Sequence, residues 1–193
     1  MNRLRHTRCY LAGPIETCAD GGTSWRDMIK ERLDYLNIQW LDPCKKPTTF
    51  ISETPEDNIL LQQDRALGRY DQIRDRMIWV RRVDLRLVHL ADFLIVYLDQ
   101  DTPTVGTIEE ITWANQEKKP ILIHYAQGKT KAPLWLFGMI PHQMIFSSWV
   151  ELQQYLAYVD HETCLVPDSI TPWSDNRWHL FSFHGDQNGM CTM

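Results

Sequence analysis

The stretch Phe93-Leu94-Ile95-Val96-Tyr97-Leu98 decides the fold class. It is an unbroken apolar segment of strand length that follows Asp92 and ends at a polar loop over residues 99–106. Such segments are typical of strands that are buried on both faces of a parallel sheet. We therefore predict that this stretch is the central strand of the protein.

Strand and helix patterns alternate on both sides of this segment. Further strands are predicted at Cys9–Ala12, Ile38–Leu41 and Ile121–His124. Helices are predicted at Ser24–Tyr35, at Leu67–Ala91 with room for a break, at Thr107–Gln116 and at Trp149–Tyr158. Residues 44–58 lack periodicity and are predicted to form a long functional or mobile loop. The alternation predicts an α/β protein with a parallel sheet and helices on both faces.

The length of 193 residues suits one domain with a tail. We expect the domain to span residues 1–158. Residues 159–193 contain several aromatic side chains without a clear period, and we expect them to form an irregular extension that packs on the domain or on a neighbouring subunit.

Composition narrows the class of partner. Hydrophobic residues make up 44% and charged residues 23%, which are ordinary globular values, and no apolar segment is long enough to span a membrane. The net charge of -5 argues against nucleic acid as a partner. A small-molecule ligand is expected instead. The apolar stretch near the N-terminus is interrupted by Gly13, Pro14 and Glu16, unlike a secretory signal, so a cytoplasmic location is expected.

The sequence contains no recognised metal or cofactor motif. The five cysteines include no C-x-x-C pair, and the histidines are scattered without ligand spacing, so no metal site is expected. Neither G-x-G-x-x-G nor G-x-x-x-x-G-K-[S/T] occurs. No cofactor is expected either.

Glu110 allows two interpretations. It lies three residues after Thr107, the spacing of a capping box in which the glutamate only completes a helix start. The same position near the positive end of a helix would keep the carboxylate ionised and available as a nucleophile. Spacing does not decide between the two.

Asp84 interrupts an apolar stripe. Met77, Val80, Val88 and Ala91 lie seven or four residues from it, on one helical face. Burying a carboxylate there requires a partner or a polar cleft. The alternatives are a functional acid, a buried ion pair with Arg81 or Arg86, and exposure to solvent.

Two junctions between a predicted strand and the segment after it could hold a polar ligand. The Gly13-Pro14 turn and the stretch Thr104-x-Gly106-Thr107 offer backbone N–H groups and hydroxyls. Such groups suit a sugar hydroxyl or a phosphate. The ends of parallel strands converge, so these segments are expected to form one site.

Several short motifs together resemble the nucleoside 2-deoxyribosyltransferase family and related nucleoside 5′-monophosphate N-glycosidases. The resemblance covers residues 8 to about 125 and is most specific from Asp84 to Pro120. Its motifs are Tyr10-Leu-Ala-Gly-Pro14, Trp25-Arg26, Asp42-Pro43, Val83-Asp84-Leu85, Ala91-Asp92, Gly106-Thr107-Ile-Glu-Glu110 with Ala114, and Lys119-Pro120.

The resemblance implies a flavodoxin/Rossmann-like doubly wound sheet and a double displacement at the sugar. Glu110 corresponds to the nucleophile that forms a glycosyl-enzyme intermediate, Asp84 to the acid near the base, and Tyr10 to the tyrosine that orients the nucleophile. Substrate-binding residues are expected at positions that include Gly13, Pro14, Asp92, Thr104, Gly106 and Thr107.

Thr104 bears on the substrate. Six residues before the nucleophile the transferases have an acid, whereas the monophosphate hydrolases have a hydroxyl residue, as this chain does. An acid would repel a phosphate dianion, so the resemblance favours an N-glycosidase acting on a (deoxy)nucleoside 5′-monophosphate. Base exchange by a transferase and a non-catalytic nucleotide-binding sensor remain as alternatives.

The family's sites are completed by a polar residue from a neighbouring subunit, so a homo-oligomer is implied. Phe137 occupies the corresponding region here, before Met139-Ile140. His142 or the C-terminal segment is expected to substitute for the missing polar group, unless the site itself is altered.

Overall fold

A single all-parallel sheet organises the chain, which a computed structural model describes over residues 3–46, 53–102 and 104–161. The strands of these residues are β1 (Arg8–Ala12), β2 (Gln39–Leu41), β3 (Phe93–Leu98), β4 (Ile121–Tyr125) and β5 (Ile145–Phe146). Their order across the sheet is β2-β1-β3-β4-β5. This is the order of flavodoxin-like sheets, so the predicted fold class is confirmed.

The central position predicted for β3 is confirmed. β3 lies between β1 and β4, with Ile95 in register with Leu11 on one side and with Leu122 on the other. Every β3 residue except Tyr97 is buried. A strand covered on both faces has no polar side to present, which explains its continuous apolar sequence.

Helices cover both faces of the sheet. They are α1 (Thr23–Arg32), α2 (Pro55–Ala66), α3 (Tyr70–Leu90), α4 (Val105–Gln116), α5 (Leu134–Met139) and α6 (Trp149–His161). On one face, Trp25 of α1 stacks on Trp149 of α6, with ring centroids 5.6 Å apart. On the other face α3 packs against both α2 and α4. The doubly wound arrangement places the loops after β1 and β3 between these layers.

The region between β2 and β3 differs from the prediction. The expected loop over residues 44–58 is interrupted by α2, and the helix predicted from Leu67 instead begins at Tyr70. α2 buries none of its residues, so it lacks the apolar period by which helices are recognised. Its start is set locally, because Thr54 at the N-cap and Asp57 form a reciprocal capping box, with Pro55 as the first helical residue.

The turn from β1 into α1 is fixed by Gly22 and Arg26. Gly22 has φ of 71°, and a Cβ there would lie 2.1 Å from the Pro14 carbonyl oxygen, so a side chain is excluded. The Arg26 guanidinium is fully buried and donates to the carbonyl oxygens of Gly22 at 2.7 Å and Gly13 at 2.9 Å. Its Nε also lies 3.8 Å from Asp42 Oδ1. Hydrogen bonds from Arg26 to its main chain therefore fix the loop after β1.

The expected extension over residues 159–193 lies almost entirely outside the described residues, which end at His161. In the described part of the chain, no helix is apolar over a length that would cross a bilayer.

Candidate active site

A cavity of about 690 Å³ lies beside the carboxyl ends of β1 and β3. Chain connections leave these two neighbouring strands in opposite directions, and ligands of open α/β sheets bind at such switch points. Its walls are the loop over residues 13–17, the inner sides of α2 and α3, and the first turns of α4. Both Asp84 and Glu110 line this cavity.

Glu110 is held by Tyr10. The hydroxyl of the fully buried Tyr10 donates to Glu110 Oε1 at 2.7 Å, which joins β1 to α4 across 100 residues of sequence. The same Glu110 residue lines the cavity. The carboxyl group is thus oriented from the sheet side.

The capping-box interpretation of Glu110 is wrong. α4 begins at Val105, with Thr104 at its N-cap, so Glu110 lies in the second turn and Thr107 is already inside the helix. The expectation that the helix end keeps Glu110 ionised fails for the same reason, because that effect fades beyond the first turn. Instead, burial raises the pKa of Glu110 to about 8, although the Tyr10 hydrogen bond lowers it.

Asp84 is buried on α3 between Val80 and Val88, at 8% exposure. Its partner is neither of the arginines considered from the sequence. Lys46 Nζ lies 2.8 Å from Asp84 Oδ1 and also pairs with Glu53. Arg81 pairs with Glu109 instead. Asp84 is therefore both a cavity-lining acid and a member of a buried ion cluster.

The environment of Asp84 favours its neutral form. Burial is the largest cause, and the nearby Glu53 carboxylate adds to it, so that the pKa of Asp84 is raised to about 7 in spite of Lys46. Asp84 in turn raises the pKa of Glu110 through its charge. The cavity thus holds two carboxyls whose pKa values are both shifted towards neutral pH.

The start of α4 forms a further part of the cavity wall. Thr104, Gly106 and Thr107 all line it, and the Thr104 side chain makes no capping hydrogen bond. A Cβ added to Gly106 would meet nothing within 4 Å among the described residues. The open space over Gly106 lets a ligand approach the first N–H groups of the helix. Gly13 and Pro14 line the opposite side.

Two expected substrate-binding residues do not join this group. Asp92 lies before β3, at the other edge of the sheet, where it accepts hydrogen bonds from Arg8. His142 lies in a short 3-10 helix after α5, where its ring contacts Lys129 Nζ at 3.3 Å. Neither lines the cavity. Because the role expected for His142 requires a second subunit, it stays a prediction.

Sequence reasoning missed Lys46 and Glu53. Both belong to the aperiodic region between β2 and α2, so no pattern marked them as buried. Their importance follows only from the fold, which brings them against α3. The pair Arg76–Asp57 on the cavity wall, 2.5 Å apart, was also missed, because it joins two helices that are distant in sequence.

Metal ligands do not converge in this part of the molecule. Across residues 3–46, 53–102 and 104–161, no three His, Cys, Asp or Glu side chains are placed to hold an ion. The polar groups of the cavity wall are carboxyls, hydroxyls, amides and paired cations. These groups suit acid–base and nucleophilic chemistry.

No protein-family model and no curated protein matches the chain. Among solved structures, a 2-deoxyribosyltransferase from Bacillus psychrosaccharolyticus is similar, with 15% identity, a TM-score of 0.55, and coverage of 82% of this chain and 100% of the other. A 2-deoxyribosyltransferase from Leishmania mexicana has 15% identity, a TM-score of 0.51, and coverage of 81% and 99%.

A CMP N-glycosidase from Clostridium botulinum has 16% identity, coverage of 79% of this chain and 99% of the other, and a TM-score of 0.46. At identities this low, the similarity to these structures shows a shared fold only. This chain thus has the fold of the 2-deoxyribosyltransferases, as the resemblance of its motifs implies.

Proposed function

We propose that the protein cleaves the bond between base and sugar of a (deoxy)nucleoside 5′-monophosphate, with Glu110 as the nucleophile. One observation carries this proposal: the Glu110 carboxyl, oriented by Tyr10, shares a cavity with a second acid, the buried Asp84. Two carboxyls around one space are what retaining glycosidic chemistry requires. The shared fold and the matching motifs support membership of the nucleoside 2-deoxyribosyltransferase family.

In the first step, an ionised Glu110 oxygen attacks the anomeric carbon of the sugar. The bond from that carbon to the base nitrogen breaks, and its electron pair leaves with the base. Asp84 donates its proton to the departing base, which would otherwise leave as an anion. The products of this step are a neutral base and a sugar ester of Glu110.

In the second step, water resolves the ester. Asp84, now ionised, accepts a proton from water, while the water oxygen bonds to the anomeric carbon and the ester bond to Glu110 breaks. Glu110 recovers its carboxylate and Asp84 its proton. The released product is the free sugar 5′-phosphate, with retained configuration.

The reaction requires a particular ionisation of the two carboxyls. Attack needs an ionised Glu110 and a protonated Asp84, and the pair titrates close to neutral pH. Because the pKa of Glu110, about 8, lies above that of Asp84, about 7, the reactive arrangement is the less populated form of the singly protonated pair at neutral pH. The Tyr10 hydrogen bond favours the ionised form of Glu110 and so favours the reactive arrangement.

The wall formed by α4 supports a phosphorylated substrate. Thr104 offers a hydroxyl where an acid would repel a dianion, and the N–H groups at the start of a twelve-residue helix face the same space. The arginines of the wall are engaged by acids, as in the Arg76–Asp57 pair. We infer that hydroxyl and backbone groups bind the phosphate.

Incubation with a panel of ribo- and deoxyribonucleoside 5′-monophosphates tests the proposal. Free base should appear with the wild-type protein, and mass spectrometry should detect a sugar-phosphate adduct on Glu110. Glu110→Gln should abolish both signals. Glu117→Gln makes the same change in charge at the far end of α4 and should keep them. Full activity of Glu110→Gln would exclude the covalent mechanism.

Base exchange is a second candidate, because the similar structures are transferases. The same ester would then react with a second base in place of water. Adding an isotopically labelled base separates the two, since an exchanging enzyme releases labelled nucleotide and a hydrolase releases sugar phosphate. Thermal stabilisation by nucleotides without turnover would instead support a sensor.

A further inference from the structure

Lys46 is an unusual cation for this molecule, because its side chain has no solvent exposure. A buried ammonium group requires negative partners, since desolvation alone would drive off its proton. The partners are Glu53 and Asp84, the latter at 2.8 Å. Burial lowers the pKa of Lys46, but the two carboxylates outweigh it, so the net shift is upward and Lys46 is charged.

Acids outnumber cations around Lys46. The charge of Glu53 raises the pKa of both Asp84 and Glu110, the charge of Asp84 also raises that of Glu110, and Lys46 is in direct contact with Asp84 and Glu53. Three ionised carboxylates with one ammonium would leave an excess of two negative charges in a buried place. Such an excess is relieved by retaining protons. The contacts of Lys46 therefore bear on which acid keeps a proton.

The other charged groups near Asp84 have partners of their own. On the side of α2, Asp57 pairs with Arg76 at 2.5 Å. On the side of α4, Arg81 Nε donates to Glu109 at 2.7 Å. From β1, Tyr10 presents a neutral hydroxyl that is engaged by Glu110.

We propose that the negative charge of Glu53 offsets the positive charge of Lys46 at Asp84, so that Asp84 keeps the proton that the leaving base needs. This inference rests on the function proposed above. Lys46 and Glu53 are then positioning residues: they act through Asp84. Lys46 holds the carboxyl in place, and Glu53 prevents Lys46 from ionising it fully.

The electrostatic directions agree with the geometry. After burial, the Glu53 charge is the next largest cause that raises the pKa of Asp84, whereas Lys46 lowers it. The two residues therefore oppose each other at one carboxyl. Removing Lys46 should therefore raise the pKa of Asp84, and removing Glu53 should lower it. A purely structural role would not produce two opposite shifts.

Carbon-13 NMR titration of the Asp84 carboxyl tests the proposal, with the signal assigned by its loss in Asp84→Asn. Lys46→Met should move the midpoint above its wild-type value near 7. Glu53→Gln should move it below that value. Each shift should be about 1 to 3 pH units, the usual effect of a charge at this range. Lys46→Arg keeps the positive charge, so its midpoint should lie closer to that of the wild type than to that of Lys46→Met.

Matched controls lie next to the two residues. Lys45→Met removes a neighbouring ammonium that pairs with Asp27 at 2.7 Å, and Glu56→Gln removes an exposed carboxylate of α2. Neither should move the midpoint. Unchanged midpoints in Lys46→Met and Glu53→Gln, or shifts in the same direction, would overturn the proposal. If Lys46→Met does not fold, a midpoint in Glu53→Gln that fails to fall overturns it alone.

Turnover separates this inference from the proposed function. If nucleotides are cleaved, the basic limb of the kcat/KM profile should follow the NMR midpoints in both variants. Opposite NMR shifts without any base release would uphold the control of the Asp84 proton and reject the glycosidase function. Base release whose basic limb ignores both substitutions would do the reverse.

Discussion

Two aspartate ion pairs lie at opposite edges of the sheet and differ in almost every respect. At the amino edge, Asp92 accepts bonds from the Arg8 backbone N–H at 2.7 Å and from its guanidinium at 2.9 Å, and the Arg8 side chain is 42% exposed. At the carboxyl edge, Asp84 forms an ion pair with Lys46, whose side chain has no solvent exposure and also pairs with Glu53. The Arg8–Asp92 pair is partly exposed to solvent. In the second pair, Lys46 is buried and is shared between two carboxylates.

The difference shows how one residue type takes two roles. Asp92 joins the starts of β1 and β3, where its carboxylate keeps solvent contact and needs no other partner. Asp84 lies beside a cavity, where burial and competing charges move its ionisation towards neutral pH. A perturbed acid in a cleft is a functional candidate, and a satisfied acid at a strand junction is a structural one.

Replacing each aspartate by asparagine should give the largest contrast. Asp84→Asn should lower base release by about 10²- to 10⁴-fold, the usual loss of a general acid. Asp92→Asn should keep activity and lose about 1 kcal/mol of unfolding free energy, because the Arg8 pair is partly exposed. Nucleotide hydrolysis and urea unfolding measure the two effects. Equal loss of activity in both variants would erase the distinction.

Stability should respond to pH through the cavity acids. The pKa of Asp84 rises from 3.8 to about 7 and that of Glu110 from 4.5 to about 8, so the folded protein binds more protons than the unfolded chain across this window. The stabilisation is present at low pH and is lost as pH rises from about 4 to about 8. At about 1.4 kcal/mol per pKa unit, the two shifts together set an upper bound on the order of 9 kcal/mol for this change.

The double variant Asp84→Asn, Glu110→Gln should abolish most of this slope. Urea unfolding near pH 5 and near pH 8 provides the measurement. The variant should be more stable than wild type at the higher pH, where wild type has to hold buried charge. An identical slope in both proteins would place the titrating groups elsewhere.

The smallest effect expected on the reaction is that of Tyr10→Phe. Loss of the hydroxyl removes a hydrogen bond that favours ionised Glu110, so the acid limb of the kcat/KM profile should move to higher pH. Activity near neutral pH should fall about 10- to 100-fold, as for a lost bond to a charged group. Tyr35→Phe, at an exposed tyrosine, is the control and should leave the profile unchanged. A Tyr10→Phe profile that falls uniformly, without a moved limb, would contradict this role.

The sheet could be predicted from the sequence because its signals are local. The composition of β3 reports burial on both faces, and the strand–helix alternation then limits the topology. Asp84 was also visible, because a carboxylate stood in an apolar stripe on α3. Its partner was not visible, because Lys46 is distant in sequence and lies in a segment without a period.

Helix starts were predicted less well, and the errors have physical causes. The true start of α4 lies two residues before Thr107, so a capping-box pattern matched at a position where the helix had already begun. α2 was missed because it buries no side chain, although Thr54, Pro55 and Asp57 carried a genuine start signal. Contacts made only in the folded state, such as that between Tyr10 and Glu110, needed the family resemblance to be anticipated.

Arg26 has a consequence for how this protein can evolve. Its guanidinium donates hydrogen bonds to main-chain oxygens, among them those of Leu11, Gly13 and Gly22. These bonds fix the path of the loop after β1 without using the loop's own side chains. Ile15, Glu16 and Thr17 of that loop face the cavity. Exchanges at these three positions can reshape the ligand's surroundings while the chain trace stays fixed, so new preferences can arise there without a loss of architecture.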